Sequence, residues 1–219
     1  QHRWAKGSIQ TAKKLLPRIF RSPASPFAKY QAFLHMTHYL VHPLMIMVIL
    51  ATPPLLRWNW LLPGWRHLWA PLTFLSLATF GPSTLYWYSQ RELYHDWRLR
   101  LRAMPFLMLL GTGIAVNNAK AVFEGLFGRR NRFVRTPKFR IESHTDGWVG
   151  KSYRLPLSWT VLVEVGLFCY SGYGLWLAFC KGTYLIIPFI TLYTLGMGYV
   201  AVLGLWQAFQ EVTRSFATK

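Results

Sequence analysis

The seven carboxylates of this sequence are too scattered to form a catalytic pair. They are Glu92, Asp96, Glu124, Glu142, Asp146, Glu164 and Glu211. No two stand as Asp-x-Asp, the spacing that lets paired carboxylates hold a hard cation such as Mg2+. The sequence also has no glycine-rich phosphate loop and no nucleophile elbow. It therefore predicts no complete catalytic centre and no metal site of its own.

Four polar residues interrupt apolar segments and make a candidate intramembrane polar site. His35, His38 and His42 recur at i, i+3 and i+7, on one helix face. Imidazole can bind a metal, but no carboxylate or cysteine lies near them in sequence, so polar packing or the lining of a wet path is favoured. Glu164 lies inside an apolar segment, where an ionisable residue is a functional candidate. Two interpretations of Glu164 stay open: a functional site in which a Lys or Arg of a neighbouring element is its partner, and a structural ion pair near the cytoplasmic interface.

The segment Arg129–Ile141, named the basic block below, is rich in Arg and Lys and has apolar segments on both sides. It must therefore be a loop between membrane-embedded pieces. One interpretation is an ordinary cytoplasmic loop that binds anionic lipid. A functional interpretation depends on its pattern and is given below.

The composition is that of an integral membrane protein. Of 219 residues, 53% are hydrophobic and 15% charged, and the formal net charge is +18. Several apolar runs approach the roughly 20 residues that span a bilayer. Lys and Arg are retained in cytoplasmic loops, which accounts for the charge without a nucleic-acid partner. Cys169 and Cys180 match no zinc or disulfide spacing and are expected to pack in the core.

Four membrane spans are predicted, at His35–Leu56, His67–Tyr88, Ser158–Phe179 and Thr183–Phe209. Residues 103–127 are apolar over too short a stretch and are predicted to form an interfacial or re-entrant helix. With four spans, 22 of the 25 basic residues fall on one side of the membrane and 3 on the other. That side is therefore cytoplasmic and holds both termini.

Two motifs resemble processive family 2 glycosyltransferases, the cellulose synthase-like and glucomannan (mannan) synthase-like enzymes. The segment Gln1–Trp4 is similar to the tail of the Gln-x-x-Arg-Trp motif: Arg3 and Trp4 match its last two residues, and its Gln would lie just before Gln1. In the basic block, Phe133-x-Arg135-Thr136-x-Lys138 resembles the Phe-x-Val-Thr-x-Lys gating loop, with Arg135 where Val is usual. Residues 117–125 resemble bacterial members of the glucomannan synthase-like branch.

The resemblance implies a role for each matching residue. Arg3 and Trp4 would bind the acceptor and the diphosphate, while Phe133, Thr136 and Lys138 would gate the donor. The donor would be a UDP- or GDP-hexose and the acceptor a growing glycan. Mg2+ or Mn2+ would be bound by an upstream catalytic domain outside this sequence, so this portion alone would be inactive. A bacterial inner membrane is the implied location.

The predicted fold class is an all-α integral membrane protein with four transmembrane helices, two amphipathic interfacial helices and a cytoplasmic gating loop. Its segments are the end of a catalytic domain with a basic interface helix (1–30), a transmembrane hairpin (31–90), a basic loop with an interfacial or re-entrant helix (91–128), the gating loop (129–157), a second transmembrane hairpin (158–210) and a cytoplasmic tail (211–219). Three other functions stay open: a non-processive transferase that glycosylates a lipid, a small transporter or channel, and a structural membrane anchor.

The topology predicts which side of the membrane Asn59 faces. In a variant without Cys169 and Cys180, Asn59→Cys should react with a membrane-impermeant maleimide added from the non-cytoplasmic side only. Thr218→Cys, in the predicted cytoplasmic tail, is the control with the opposite pattern. Labelling of position 59 from the cytoplasmic side would contradict the four-span topology.

Overall fold

The computed structural model describes residues 1–57, 80–128 and 159–217, and every regular element among them is a helix. The α-helices are α1 (His2–Arg21), α2 (Pro26–Thr37), α3 (Val41–Arg57), α4 (Phe80–Leu93), α5 (Trp97–Leu101), α6 (Met104–Gly113), α7 (Ala115–Phe127), α8 (Trp159–Cys180) and α9 (Ile187–Ala217). Two 3-10 turns, His38–Leu40 and Tyr184–Ile186, precede α3 and α9. The predicted all-α class is confirmed for these residues.

Three helical stretches of the described chain are long and apolar enough to cross a membrane. They are Pro26–Arg57, Trp159–Cys180 and Tyr184–Phe209. Each coincides with a predicted span, as expected of an integral membrane protein. The predicted span at residues 67–88 falls largely outside the described residues, and α4 covers its end.

The first candidate span begins earlier than predicted, at Pro26 rather than His35. The reason is a local helix start. The Ser25 hydroxyl accepts a hydrogen bond from the Ala28 N–H at 3.2 Å, and Pro26 occupies the first turn, where its missing N–H costs nothing. The helix therefore includes residues that the sequence assigned to the end of the basic interface segment.

The helices α6 and α7 meet at a break that bends the chain. Trp97–Gly113 and Ala115–Phe127 are inclined to each other by 46°. Only the two together are long and apolar enough to cross a membrane. They would make a fourth span if they act as one. Their placement as an interfacial or re-entrant element stays a prediction.

The chain divides into two compact units. The first unit comprises Gln1–Leu40, Asn117–Leu162 and Ala201–Lys219, and the second comprises Val41–Val116 and Val163–Val200.

In the first unit, α1 buries one face. Ala5, Ile9 and Ala12, at i, i+4 and i+7, are all buried. The Phe20 ring lies 6.5 Å from the Phe33 ring, which joins the end of α1 to α2. The location of α1 at a membrane surface stays a prediction.

In the second unit, α3 and α8 meet at two consecutive prolines. Pro54 has no N–H, so the Leu50 carbonyl loses its helical donor. The Tyr170 hydroxyl of α8 donates to that carbonyl at 2.9 Å. A Cβ on Gly174 would lie 3.1 Å from Cγ of Pro53, so the two helices are in close contact. The tyrosine thus restores a hydrogen bond that the proline removes.

The helices α6 and α9 approach each other through small residues. A Cβ on Gly113 would lie within 2.5 Å of the Gly196 carbonyl and a Val200 methyl group, and Gly196 would meet the Thr112 hydroxyl as closely. That hydroxyl is buried and donates to the Leu109 carbonyl at 2.8 Å. Such contacts are typical of helix pairs in membranes.

The basic segment 91–102, predicted as a loop, is largely helical. The helix α4 continues to Leu93, and α5 begins at Trp97. Arg100 Nε donates to Asp96 Oδ1 at 2.8 Å, and its guanidinium lies 3.8 Å from the centre of the Tyr94 ring. The hydrogen bond from Arg100 lowers the pKa of the Asp96 carboxyl. These local contacts stabilise a helical turn in a segment that a count of charges alone predicts to be a loop.

The contact between α6 and α9 predicts a different outcome for two glycines of one helix. Gly113→Ala should lower the unfolding free energy by about 1–3 kcal/mol, because backbone must move to admit the methyl group. Gly111 has no heavy atom near its added Cβ, so Gly111→Ala should be neutral or slightly stabilising. Thermal unfolding in detergent measures both. Equal unfolding midpoints for the two variants would contradict the close approach.

Candidate functional site

A group of charged side chains surrounds the carboxylate of Glu124 in the first unit. Lys6 Nζ donates to Glu124 Oε2 at 2.8 Å, and His2 Nε2 lies 3.8 Å from Glu124 Oε1. Lys120 lies one turn before Glu124 on α7 and near enough to act on His2. These four residues are named the Glu124 cluster: His2, Lys6, Lys120 and Glu124. It joins α1 to α7 at the turn of α1 that carries Arg3 and Trp4.

The ion pair at the centre of this cluster is partly shielded from solvent. The Lys6 side chain is 15% exposed and that of Glu124 34%. Shielding strengthens the attraction between the charges and makes loss of either one costly. Each charge therefore requires the other to stay in place.

The surroundings of His2 favour its neutral form. Burial lowers the pKa of His2, and so do the positive charges of Lys120 and Lys6, while Glu124 raises it. The net effect is a pKa below the usual value of 6.5.

Two further contacts hold α7 against α1. A Cβ on Gly125 would lie 3.0 Å from Cβ of Ile9, so only glycine allows the helices to come this close. Lys13 Nζ donates to the Leu126 carbonyl at the end of α7, where a positive charge also complements the helix dipole. The end of α7 is thus fixed at three consecutive residues.

The helix α7 is also connected to the start of α8. Lys120 Nζ lies 5.2 Å from the centre of the Trp159 ring, a cation–π contact. Trp159 is the first residue of α8. The residues between α7 and α8 include the whole basic block, so both ends of that segment are attached to this unit.

Arg3 and Trp4 lie in the first turn of α1, and both are exposed, Trp4 to 61%. The turn itself is well anchored. The Gln1 carbonyl accepts from the Ala5 N–H at 2.9 Å, and the Gln1 amide oxygen accepts from the Tyr39 hydroxyl at 3.3 Å. The indole therefore projects from a fixed backbone.

An open cleft of about 870 Å³ lies beside the same two helices. Its lining comes from α1 and from the end of α7: Gly7, Gln10, Thr11, Lys13, Lys14, Leu15, Gly125 and Gly128. The cleft thus presents ammonium, amide and hydroxyl donors next to the segment where α7 ends.

The histidines are not gathered into a metal site. His38 Nδ1 lies 2.6 Å from the His35 carbonyl, and the two rings are 6.1 Å apart. His42 lies in the first turn of α3. Among the described residues, no group of three His, Cys, Asp or Glu side chains could hold a metal ion. The contact from His38 to backbone agrees with a role in polar packing.

The remaining predicted positions have different outcomes. The expectation that Cys169 and Cys180 pack in the core is wrong, because both are exposed on α8. Glu164 is buried in α8 with 3% exposure, and no ion pair involves it among the described residues. The assignment of a Lys or Arg partner to it stays a prediction. Phe133, Thr136 and Lys138 lie outside the described residues, so their placement also stays a prediction.

Sequence reasoning did not single out Lys6 or Glu124. One signal was present, because Glu124 is the only carboxylate between Asp96 and Glu142, and α1 has basic residues but no acid. An isolated acid in basic surroundings is a candidate partner for a shielded lysine. Which lysine it meets depends on how the helices pack.

The sequence matches no protein-family model, no curated protein and no solved structure.

The lowered pKa of His2 predicts a pH dependence of stability. The unfolded chain binds a proton at His2 more readily than the folded chain does, so stability is complete above about pH 6.5 and falls as the pH drops through the folded pKa. The thermal unfolding midpoint should therefore decrease between pH 8 and pH 5 more in the wild type than in His2→Gln. Parallel curves for the two proteins would contradict this environment for His2.

Proposed function

We propose that this chain is the C-terminal membrane portion of a membrane-bound β-glycosyltransferase. It would transfer a hexose from a nucleotide-sugar to a growing cellulose- or mannan-like polysaccharide and help to move the polymer across the membrane. One observation carries the proposal. The first unit contains both Arg3 and Trp4 and the end of α7. In the sequence, the basic block follows directly after Gly128, just beyond α7. The two motifs are far apart in sequence, yet each begins at the same pair of packed helices.

The chemistry of donor cleavage suits the basic block. Transfer of the sugar leaves a nucleoside diphosphate with strong negative charge. The Thr136 hydroxyl and the Lys138 ammonium would donate to these phosphates, and Phe133 would add an apolar surface over the donor. Closure of such a loop excludes water and so suppresses hydrolysis of the donor.

The first turn of α1 suits an acceptor and a diphosphate. The exposed indole of Trp4 offers a flat apolar face to a sugar ring. The guanidinium of Arg3 can donate two parallel hydrogen bonds to a phosphate. Both side chains would then lie where the sugar is transferred from the donor to the acceptor.

The partners and location follow from the same proposal. The donor would be a UDP- or GDP-hexose and the acceptor a glycan. The helices α3, α8 and α9 would lie in the lipids of a bacterial inner membrane, and both termini would be cytoplasmic. The described residues do not fit Mg2+ or Mn2+, since they offer no cluster of ligands. The metal would be held by an upstream catalytic domain.

The role of Lys138 can be tested against a neighbouring charge. In membrane vesicles that contain the full-length protein, Lys138→Ala should lower hexose transfer from UDP-glucose or GDP-mannose by on the order of a hundredfold, the effect of removing one donor to a developing anion. Membrane insertion should not change. Arg140→Ala, two residues away, removes an equal charge outside the motif and should have a small effect. Equal losses in the two variants would favour a loop that merely binds anionic lipid.

A further inference from the structure

We propose that Glu124 is a positioning residue that fixes the first turn of α1, and with it the Arg3 and Trp4 side chains, against α7. The expected effect of Glu124 on sugar transfer rests on the proposed function. Its structural part, a clamp between α1 and α7, stands on the contacts of the Glu124 cluster.

The clamp determines the rotation of α1 about its own axis. Successive residues of an α-helix are separated by about 100°, so His2 and Lys6 lie about 40° apart on one face. Trp4 lies about 160° from each of them, on the opposite face. The hydrogen bond from Lys6 to Glu124, with His2 on the same face, therefore directs the indole away from α7, in agreement with its 61% exposure.

Two other contacts join α1 to α7. Ile9 packs on Gly125, and Lys13 donates to the Leu126 carbonyl. Both contacts fix the distance between the helices further along α1. Of the three contacts, the ion pair between Lys6 and Glu124 is the one that lies within one turn of Arg3 and Trp4.

The cluster holds a second cation that makes the clamp testable by pH. His2 faces Glu124 and lies near the charges of Lys6 and Lys120. In Lys6→Met one of the charges that lower the pKa of His2 is lost, while Glu124 remains. The pKa of His2 should therefore rise, although burial and Lys120 still lower it, and protonation of His2 at pH 6 should place a cation beside Glu124 again.

The experiment measures amide hydrogen exchange of residues 5–9, whose N–H groups close the first turns of α1, in the full-length protein in nanodiscs, at pH 8 and pH 6. At pH 8, Lys6→Met should lower the protection factors by about tenfold, because opening of the first turn no longer breaks a shielded ion pair. At pH 6 protection should return towards the wild-type value. The double variant His2→Gln with Lys6→Met should stay unprotected at both pH values.

Transfer should follow the exchange. The release of UDP from UDP-glucose, or of GDP from GDP-mannose, should fall about tenfold in Lys6→Met at pH 8, relative to the wild type at that pH, since small displacements of a positioned group cost up to about a hundredfold. It should recover at pH 6, unless His2 is also replaced. Arg100→Met is the matched control: Arg100 forms a pair of the same 2.8 Å length with Asp96, but on an exposed turn. That variant should match the wild type in both measurements.

Each result decides between the two ideas. Protection in Lys6→Met that equals the wild-type protection at pH 8 overturns the clamp. Protection that shifts without a change in nucleotide release shows that the clamp exists but positions nothing, and so overturns the role of Glu124 in transfer. A wild-type protein that turns over neither donor overturns the proposed function, and the exchange measurement then still decides the clamp.

Discussion

The ion pair between Lys6 and Glu124 meets a need that is set by the composition of the first helix. The helix α1 carries basic residues and no acid, and it also buries one apolar face. A lysine at the edge of that face loses water and requires an acceptor from elsewhere in the chain. Glu124 meets this requirement at 2.8 Å. The contact therefore fixes which part of α7 lies against the start of the chain.

Close approach of backbone is the second constraint on this structure. Between membrane helices, lipid is as apolar as leucine, so association depends on packing and hydrogen bonds. Gly113 and Gly196 allow α6 and α9 to come into contact, and Gly125 does the same for α1 and α7. At each place a methyl group would meet backbone or a branched side chain. Small residues thus specify the positions of helices whose apolar surfaces have little specificity.

Hydropathy predicted the last two candidate spans closely, because it depends on composition alone. The predicted Thr183–Phe209 and the observed Tyr184–Phe209 differ by one residue. It failed at Pro26, because the start of that helix depends on one hydrogen bond to Ser25. The basic segment 91–102 was assigned to a loop for the same reason, since its local ion pair is invisible to a count of charges.

The candidate site was less predictable than the fold. Arg3 and Trp4 were identified by a motif, and the structure places them on an exposed helical turn. Their neighbours Lys6 and Glu124 come from segments 118 residues apart, and Lys120 meets Trp159 across the basic block. Contacts of this kind arise from tertiary packing, which hydrophobic periodicity does not encode.

The length of the first candidate span has a mechanical consequence. Its 32 residues, which comprise α2, a 3-10 turn and α3, exceed the roughly 20 that cross a bilayer. The surplus must be accommodated by tilt or by leaving several turns at the headgroups. Phe33, which contacts the end of α1, lies in the first turns of this stretch. In a bilayer of different thickness, a different number of those turns would lie at the headgroups, beside the helix that carries Arg3 and Trp4.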